Sequence, residues 1–266
     1  MALVSITTVR PHVRQITLDH PDRLNSMSFA LVGDLYAALD TVSADNDCRV
    51  VVLTGAGRAF CSGLELEHAG SPPGTDDLGR HRMGMRAMEF MGGIVPAMRA
   101  IPQPIVAAVN GPAYGGGMCL TLGADIRLAG RSAVFCGAGI TNGLSGCELG
   151  VSWLLHRAVG TSHASQILLT GRRVGAEEAG RIGLVSEVLA DDELLERAVT
   201  LAEGMCALSP FGLALTKDTL WAALEVGSLQ TAVDLENRTQ LLAGHTGNLT
   251  EASAAFREKR PPVYTE

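Results

Sequence analysis

Hydrophobic residues group into short runs in the first half of the chain, and these runs predict β-strands. Residues 13–21 alternate between apolar and polar positions and end at a proline, which is typical of a strand with one buried face. The runs at 49–55 and 104–111 are almost continuously apolar, as in strands buried on both faces. A helical pattern around residues 80–99 separates these two strands. Strand–helix–strand repeats of this kind predict right-handed crossovers and parallel strands.

Helical spacing appears first after Ser28 and then dominates the end of the chain. Ser28 can cap the segment that follows, where leucines recur at positions 31, 35 and 39. Beyond Gly160 the patterns are helical except for one strand-like segment at 184–189. This organisation predicts an α/β core over residues 1–190 and a helical region over residues 191–266.

The composition is that of a folded protein, and it excludes several function classes. Of the 266 residues 47% are hydrophobic and 18% are charged, so a large core can be buried and disorder is not expected. The net charge of −7 and the lack of a dense Lys/Arg patch argue against nucleic-acid binding. No apolar run approaches the roughly 20 residues that a membrane span needs, so no span is expected.

Cysteine and histidine usage predict a cytoplasmic protein without a metal centre. The six cysteines form no CxxC pair and lie in apolar segments, as reduced and buried thiols do. The seven histidines show no HExxH and no short paired spacing, so no metal site is expected. The first residues lack the basic-then-apolar layout of a secretion signal, which also favours the cytoplasm.

Two glycine-rich loops follow two of the predicted parallel strands. They are "CSGLEL" at 61–66 and "AYGGGMCL" at 113–120. Backbone amides at the carboxyl ends of parallel strands face the ligand cleft of open α/β folds, and a helix N-terminus adds positive potential. Two amides that converge on one oxygen would form an oxyanion hole. The alternative is that the glycines only permit tight turns and close helix–sheet packing.

Several segments together resemble one enzyme family, although each alone is a weak signal. They are "GAGRAFCSGLEL", "IPQPIVAAVNGPAYGGG", "ADIRLAG", "AVGTSHASQILLTGRRVGAEEAGRIGLVSEV" and "FREKRPP", in this order over nearly the whole chain. In this combination the sequence resembles the crotonase superfamily, the enoyl-CoA hydratase/isomerase family. The resemblance implies the ClpP/crotonase-like α/β fold of repeated ββα units, with a C-terminal helical region that builds homotrimers, often paired into hexamers. It also implies an acyl-CoA substrate and no cofactor besides the coenzyme A of that substrate.

The resemblance also assigns roles to residues of the two glycine loops. The oxyanion donors would be the backbone N–H groups of Leu64 and Gly116, which would hold the thioester oxygen as an enolate forms. The stretch from Ser62 through Gly63 to Leu66 would line the site for the adenine and pantetheine groups of coenzyme A. The bare backbone of both loops would thus face the thioester carbonyl.

The sequence departs from the family where its hydratases carry two catalytic glutamates. The first glutamate follows the second glycine loop, and Cys119 stands at that position. The second usually follows a strand that ends in Phe, and Gly139 stands at that position. Loss of a general acid or base typically costs about 10²–10⁴ in rate, so two-carboxylate hydration cannot be assumed.

Glu148 is the candidate replacement for the missing carboxylates. In "NGLSGCELGVSWLL" it falls where the family's dienoyl-CoA isomerases carry an acidic residue near the same helix start. The apolar segment after it predicts partial burial and a pKa raised toward neutrality. The alternative is that Glu148 caps the helix that begins near Gly150.

Cys119 has three interpretations on sequence alone. It fills space as a small helix residue, it acts as a weak acid/base or a thiolate activated by the helix N-terminus, or it is an acyl-transfer nucleophile. A Met-rich stretch also has two interpretations. It forms either an amphipathic helix that packs its methionines inward or an adaptable wall of the acyl pocket, and its methionines are Met83, Met85, Met88 and Met91.

Three functions follow from these alternatives. The first is an acyl-CoA enzyme of enoyl-CoA hydratase/isomerase type, in which Glu148 moves a proton. The second is a non-catalytic acyl-CoA binding or carrier protein, because Cys119 and Gly139 replace both usual glutamates. The third is a Cys119-dependent thioesterase.

Overall fold

The computed structural model describes residues 2–265 and consists of two sheets surrounded by helices. The larger sheet has six strands in the order β1-β2-β3-β4-β6-β9, and the smaller has three in the order β5-β7-β8. The strands are β1 Val4–Arg10, β2 Val13–Leu18, β3 Val50–Gly55, β4 Ile105–Val109, β5 Ala113–Tyr114, β6 Ile126–Gly130, β7 Val134–Cys136, β8 Arg173–Gly175 and β9 Glu187–Leu189. The helices are α1 Phe29–Ala44, α2 Arg80–Gly92, α3 Ile94–Ala100, α4 Gly116–Gly123, α5 Val151–Thr170, α6 Ala176–Arg181, α7 Leu194–Cys206, α8 Pro210–Ala223, α9 Leu229–Gly244 and α10 Asn248–Glu258.

The parallel core predicted from the apolar runs is confirmed. β1 and β2 form an antiparallel hairpin, and β2, β3, β4, β6 and β9 then pair in parallel. Alternate residues of β3 point to opposite faces, so Val51 and Leu53 join one core cluster and Val50 and Val52 join the other. Every residue of β3 is buried, which explains why its sequence is apolar except at Thr54.

Helices cover both faces of the large sheet. α1 begins after Ser28, whose hydroxyl accepts a hydrogen bond from Leu31 N at 3.1 Å, as the capping pattern predicts. Its buried leucines join the cluster that also contains residues of α3, α4 and α5. α7 packs against the other face through Leu194, Ala198, Val199 and Ala202.

The C-terminal helix α8 is fixed to the core by a buried polar network. Asp125 at the start of β6 accepts hydrogen bonds from Ile105 N at 2.7 Å and from the Trp221 indole at 2.7 Å. Its carboxylate also pairs with Lys217 at 3.1 Å, and Lys217 donates to Met98 O and Gln103 O. Asp125 is therefore a structural residue. The division of the chain at residue 190 remains a prediction.

Within residues 2–265 no single helix is long and apolar enough to cross a membrane. Taken together, α7 and α8 are long and apolar enough by length and composition alone, and the pair is bent by 110°.

Candidate active site

The two glycine-rich loops lie side by side because short stretches of backbone pair between them. Tyr114 N donates to Cys61 O at 3.0 Å, and Cys61 N donates to Pro112 O at 3.1 Å. Gly63 adopts φ +91°, and a Cβ atom there would lie 2.6 Å from Tyr114 O. Only glycine allows both this φ and this approach, which is why the first loop carries one at position 63.

The amides of Leu64 and Gly116 are available to a ligand. Their neighbours are engaged, because Glu65 N donates to Met27 O at 3.2 Å and Gly115 N donates to Cys136 O at 2.8 Å. Leu64 N and Gly116 N themselves donate to no acceptor among residues 2–265. Gly116 is also the first residue of α4, so its N–H lies at the positive end of a helix.

Both residues line one cavity of about 430 Å³. Met27, Met88 and Met91 form an apolar part of its wall, and Glu148 contributes a carboxylate. Two free amides, one carboxylate and an otherwise largely apolar wall are the elements of a site that stabilises a developing oxyanion and moves a proton. The remaining residues that line it are Gly92, Gly139, Leu144, Ser145, Cys147 and Leu149.

Glu148 enters the cavity because the two residues after it have left-handed backbone angles. Leu149 has φ +46° and Gly150 has φ +86°, and α5 begins directly afterwards. The turn places Oε1 of Glu148 3.0 Å from where a Cβ atom of Gly115 would be. The carboxylate therefore lies beside the residue that precedes the Gly116 amide.

The environment of Glu148 favours its neutral form. The side chain is half-buried and has no hydrogen-bond donor or cation among residues 2–265. Loss of water around the carboxylate raises the pKa of Glu148 above its ordinary value. A raised pKa suits a group that must both accept and release a proton near neutral pH.

The interpretation of Glu148 as a helix cap is wrong. Gly150 is the N-cap residue of α5, and among residues 2–265 no side-chain cap hydrogen bond is made at this end of the helix. Glu148 contributes only its main-chain carbonyl, which accepts from Val151 N at 2.8 Å. Its side chain is left free for the cavity.

Cys119 lies behind the site, at the end of the first turn of α4. Its thiol is buried and lies 3.3 Å from Gly115 O and 3.5 Å from the main-chain oxygen of Glu148. Burial and the nearby Glu148 carboxylate raise the pKa of Cys119 well above its ordinary value. The geometry favours the space-filling interpretation over a thiolate activated by the helix N-terminus, and any role in the chemistry stays untested.

Gly139 cannot be replaced by a carboxylate in this backbone. A Cβ atom at this position would collide with the main-chain oxygen of Ser145. The loop after β7 therefore has no room for the family's second glutamate.

The Met-rich helix follows neither of its two interpretations completely. Met91 is buried, and Met88 joins it in lining the cavity. Met83 and Met85 are exposed, so the methionines do not form one inward face of α2.

Other residues of the candidate site were not recognised from the sequence. Met27 lies at the end of the segment that pairs with the first glycine loop, where Met27 N donates to Gly63 O at 2.7 Å. Leu144 and Cys147 come from the loop before Glu148. None of these residues belongs to a periodic pattern, so only the tertiary structure brings them together. The coenzyme A contacts predicted for Ser62, Gly63 and Leu66 remain predictions, and the Leu66 side chain is 67% exposed at the surface.

A sequence model of the family described as enoyl-CoA hydratase/isomerase matches residues 9–266. The chain belongs to the enoyl-CoA hydratase/isomerase family. It is 48% identical over 267 residues to a probable enoyl-CoA hydratase of Mycobacterium bovis, a match that covers 100% of this chain and 94% of the relative. It is also 36% identical over 262 residues to the 1,2-epoxyphenylacetyl-CoA isomerase of Escherichia coli, covering 98% and 97% of the two chains.

Solved structures of this family share the fold. A probable enoyl-CoA hydratase/isomerase from Mycobacterium abscessus superimposes with a TM-score of 0.94 at 43% identity, covering 99% of this chain and 98% of that one. A monofunctional enoyl CoA isomerase from M. smegmatis has a TM-score of 0.75 at 43% identity over 88% of this chain and 99% of that one. The crotonase-type α/β fold expected from the sequence is confirmed. Within residues 2–265 no cluster of three His, Cys, Asp or Glu side chains could hold a metal ion.

Proposed function

We propose that this protein is an enzyme of enoyl-CoA hydratase/isomerase type that acts on unsaturated acyl-CoA thioesters. The observation that carries the proposal is the position of the Glu148 carboxylate beside Gly115, in the same cavity as the Leu64 and Gly116 amides. The amides donate hydrogen bonds to the thioester oxygen, and the carboxylate transfers a proton at the acyl carbons next to it. Coenzyme A is bound only as part of the substrate.

The chemistry is a proton shift with one acid/base group. The ionised Glu148 takes a proton from C2 of a 3-enoyl thioester, and the electron pair moves onto the thioester oxygen. The two amides stabilise this charge, each contributing about 2.7–4 kcal/mol in comparable sites. Glu148 then returns the proton at C4, and the double bond lies between C2 and C3.

A single carboxylate favours isomerisation over hydration. Addition of water needs one group to activate the water and a proton source for C2, which the family's hydratases divide between two glutamates. This chain holds Cys119 and Gly139 at those positions, and among residues 2–265 Glu148 alone supplies a carboxylate to the cavity. A solved relative named a monofunctional enoyl CoA isomerase agrees with this preference, whereas the relatives at 48% identity are named probable enoyl-CoA hydratases.

The assembly proposed is a homotrimer or a hexamer of two trimers in the cytoplasm. The C-terminal helices expose large apolar side chains, among them Leu229 at 82%, Leu249 at 69% and Phe256 at 87%. Apolar surface of this extent is typical of a covered interface. The six cysteines are free, which suits a reducing compartment. Light scattering on the purified protein measures the oligomeric state.

The experiment that tests the activity compares 2-enoyl-, 3-enoyl- and dienoyl-CoA thioesters as substrates of the purified protein. We expect turnover of the 3-enoyl or dienoyl substrates that exceeds hydration of the 2-enoyl substrate. Acyl-CoA binding without turnover of any substrate would favour the carrier function instead. Release of free coenzyme A together with a covalent acyl adduct on Cys119 would favour a thioesterase.

A further inference from the structure

Residues 24–27, which lie between β2 and α1, run alongside the first glycine-rich loop. Main-chain hydrogen bonds join the two, and they are Ser62 N to Leu24 O at 3.0 Å, Met27 N to Gly63 O at 2.7 Å and Glu65 N to Met27 O at 3.2 Å. Met27 and Leu64 thereby form a short parallel bridge. Segment 24–27 therefore supports the part of the loop that carries the Leu64 amide.

The hydrogen bond from Met27 to Gly63 sets the direction of the Leu64 amide. The C=O of Gly63 and the N–H of Leu64 belong to one planar trans peptide, so they point in opposite directions. Met27 N holds the Gly63 oxygen, and the Leu64 N–H therefore points away from the main chain of Met27. Because Leu64 lines the candidate active-site cavity and its N–H has no acceptor among residues 2–265, this direction decides what the amide can reach.

Asn25 fixes the segment to the chain that enters the first loop. Its side chain is fully buried, and Oδ1 accepts a hydrogen bond from His20 N at 2.8 Å. Its Nδ2 donates to main-chain oxygens before the loop, which are those of Ala56 and Ala59 at 2.9 Å and of Phe60 at 3.2 Å. The backbone of Asn25 has a φ of +55°, a left-handed conformation that asparagine tolerates better than most residues. Asn25 therefore holds the turn before the segment and the start of the loop together.

Ser26 fixes the other end of the loop. Its hydroxyl donates to Oε2 of Glu65, the residue directly after Leu64, at 2.6 Å. This bond lowers the pKa of Glu65, so the carboxylate is ionised near neutral pH and the bond is charge-assisted. Asn25 and Ser26 are not among the residues of the range 2–265 that line the cavity. They can therefore affect a ligand there only through the loop backbone.

We infer that Asn25 and Ser26 are positioning residues for the oxyanion site, and that they hold the loop so that the Leu64 N–H meets the thioester oxygen. This inference rests on the proposed function, because it takes that oxygen to be the acceptor of the amide. An oxyanion donor acts mainly on the charge that develops during the reaction. Loosening the loop therefore lowers kcat and leaves the binding of a saturated acyl-CoA nearly unchanged.

The test removes the Ser26 hydroxyl, because the bonds of Asn25 also support the fold. Butyryl-CoA labelled with ¹³C at the thioester carbonyl is bound to the protein, and the change of its ¹³C NMR shift on binding reports hydrogen bonding to the oxygen without turnover. Ser26→Ala should reduce this change. It should also lower kcat with a 3-enoyl-CoA by about tenfold, less than the roughly 10²–10³ for complete loss of a donor, and keep the Kd of butyryl-CoA within about twofold.

Thr41→Ala is the matched control. It removes a hydroxyl that donates to Ala37 O at 2.7 Å near the far end of α1, away from the first loop. The ¹³C shift, kcat and Kd of this variant should equal those of the wild type.

A double-mutant cycle with Glu65 separates positioning from unrelated damage to the loop. Glu65→Ala breaks the same bond as Ser26→Ala, so it should reduce the ¹³C shift change and kcat to the same extent. The double variant should be no worse than either single variant. Glu65→Gln retains an acceptor oxygen for the Ser26 hydroxyl, so it should restore the shift change and most of kcat.

The outcomes separate this inference from the proposed function. An unchanged ¹³C shift and an unchanged kcat in Ser26→Ala would overturn the positioning role and leave the enzyme function intact. Additive effects of the Ser26 and Glu65 substitutions, or a loss confined to KM and Kd, would also overturn it. Absence of turnover in the wild type would overturn the enzyme function, and the ¹³C shift would still decide whether Ser26 directs the Leu64 amide.

Discussion

The thiol of Cys119 lies 3.5 Å from the main-chain oxygen of Glu148, so the residue that replaces the family's first glutamate contacts the candidate acid/base directly. Cys119 lies behind the cavity on α4, whereas Glu148 lines the cavity from the turn before α5. Glu148 can therefore act as the acid/base for an acyl group in this cavity, from a position next to that of the family's first glutamate.

Glu148→Gln tests the proton transfer. The amide keeps the size and polarity of the side chain but cannot accept the substrate proton, so kcat should fall by about 10²–10⁴. The Kd for a saturated acyl-CoA should stay the same, because the amides of Leu64 and Gly116 are untouched. Glu67→Gln removes an exposed carboxylate and should leave kcat unchanged. An active Glu148→Gln enzyme would refute the assignment.

The raised pKa of Glu148 also predicts how stability and activity depend on pH. Because the pKa is higher in the folded than in the unfolded chain, the stabilising effect of the bound proton is complete below the unfolded value of about 4.3. This contribution is lost as the pH rises through the folded pKa. As the pH rises from 4 to 8, urea unfolding should therefore show Glu148→Gln gaining stability relative to the wild type.

The kcat/KM of the wild type should rise over the same pH range, since the base must be ionised. A constant stability difference would contradict the raised pKa.

Cys119→Ala separates a structural thiol from a chemical one. Because the thiol is neutral and buried, the variant should retain turnover within about threefold. It should lose about 1 kcal/mol of unfolding free energy, because the two weak contacts of the thiol with Gly115 O and Glu148 O are removed. Mass spectrometry of the wild type after incubation with acyl-CoA should show no covalent adduct. Loss of turnover together with loss of an adduct would support the thioesterase.

Gly63→Ala tests the oxyanion hole. The new methyl group would meet Tyr114 O and would require a φ of +91°, so the first loop must shift and move the Leu64 amide. Turnover should fall by about 10²–10³, as expected for the loss of one donor. Gly84→Ala is the matched control, because its Cβ has open space on α2 and should leave turnover unchanged. Equal activities of the two variants would exclude Leu64 as a donor.

Asp125→Ala tests the anchoring of α8. The variant leaves the buried Lys217 cation without its ion partner and removes the acceptor of Trp221, so about 3–5 kcal/mol of unfolding free energy should be lost. Glu89→Ala breaks the exposed pair with Arg86 and should cost less than about 1 kcal/mol. Denaturant unfolding measures both, and similar losses would contradict the role of the network.

The local pattern of hydrophobic and capping residues in the sequence was sufficient to predict much of the fold. The buried strand β3 and the Ser28 cap follow from hydrophobic spacing and from one capping residue, because both depend on neighbours in the sequence. Strand β8 has only three residues and was missed, since such a segment is too short to show alternation. Its pairing with β7 depends on distant parts of the chain.

The candidate site was predictable only in part. The glycines of the two loops carry a local signal, because close backbone approach requires them. The direction of Glu148 depends on the left-handed Leu149, which sequence does not reveal in a residue with a branched side chain. The contact of Arg99 with Trp153 and Trp221 joins three helices, and no periodicity in the sequence connects these positions.

The chain contains only two tryptophans, and both contact Arg99. All indole fluorescence of the protein therefore originates at the junction of α3, α5 and α8. The emission of the unlabelled protein reports on this junction alone, so a simple optical titration can follow whatever enters it.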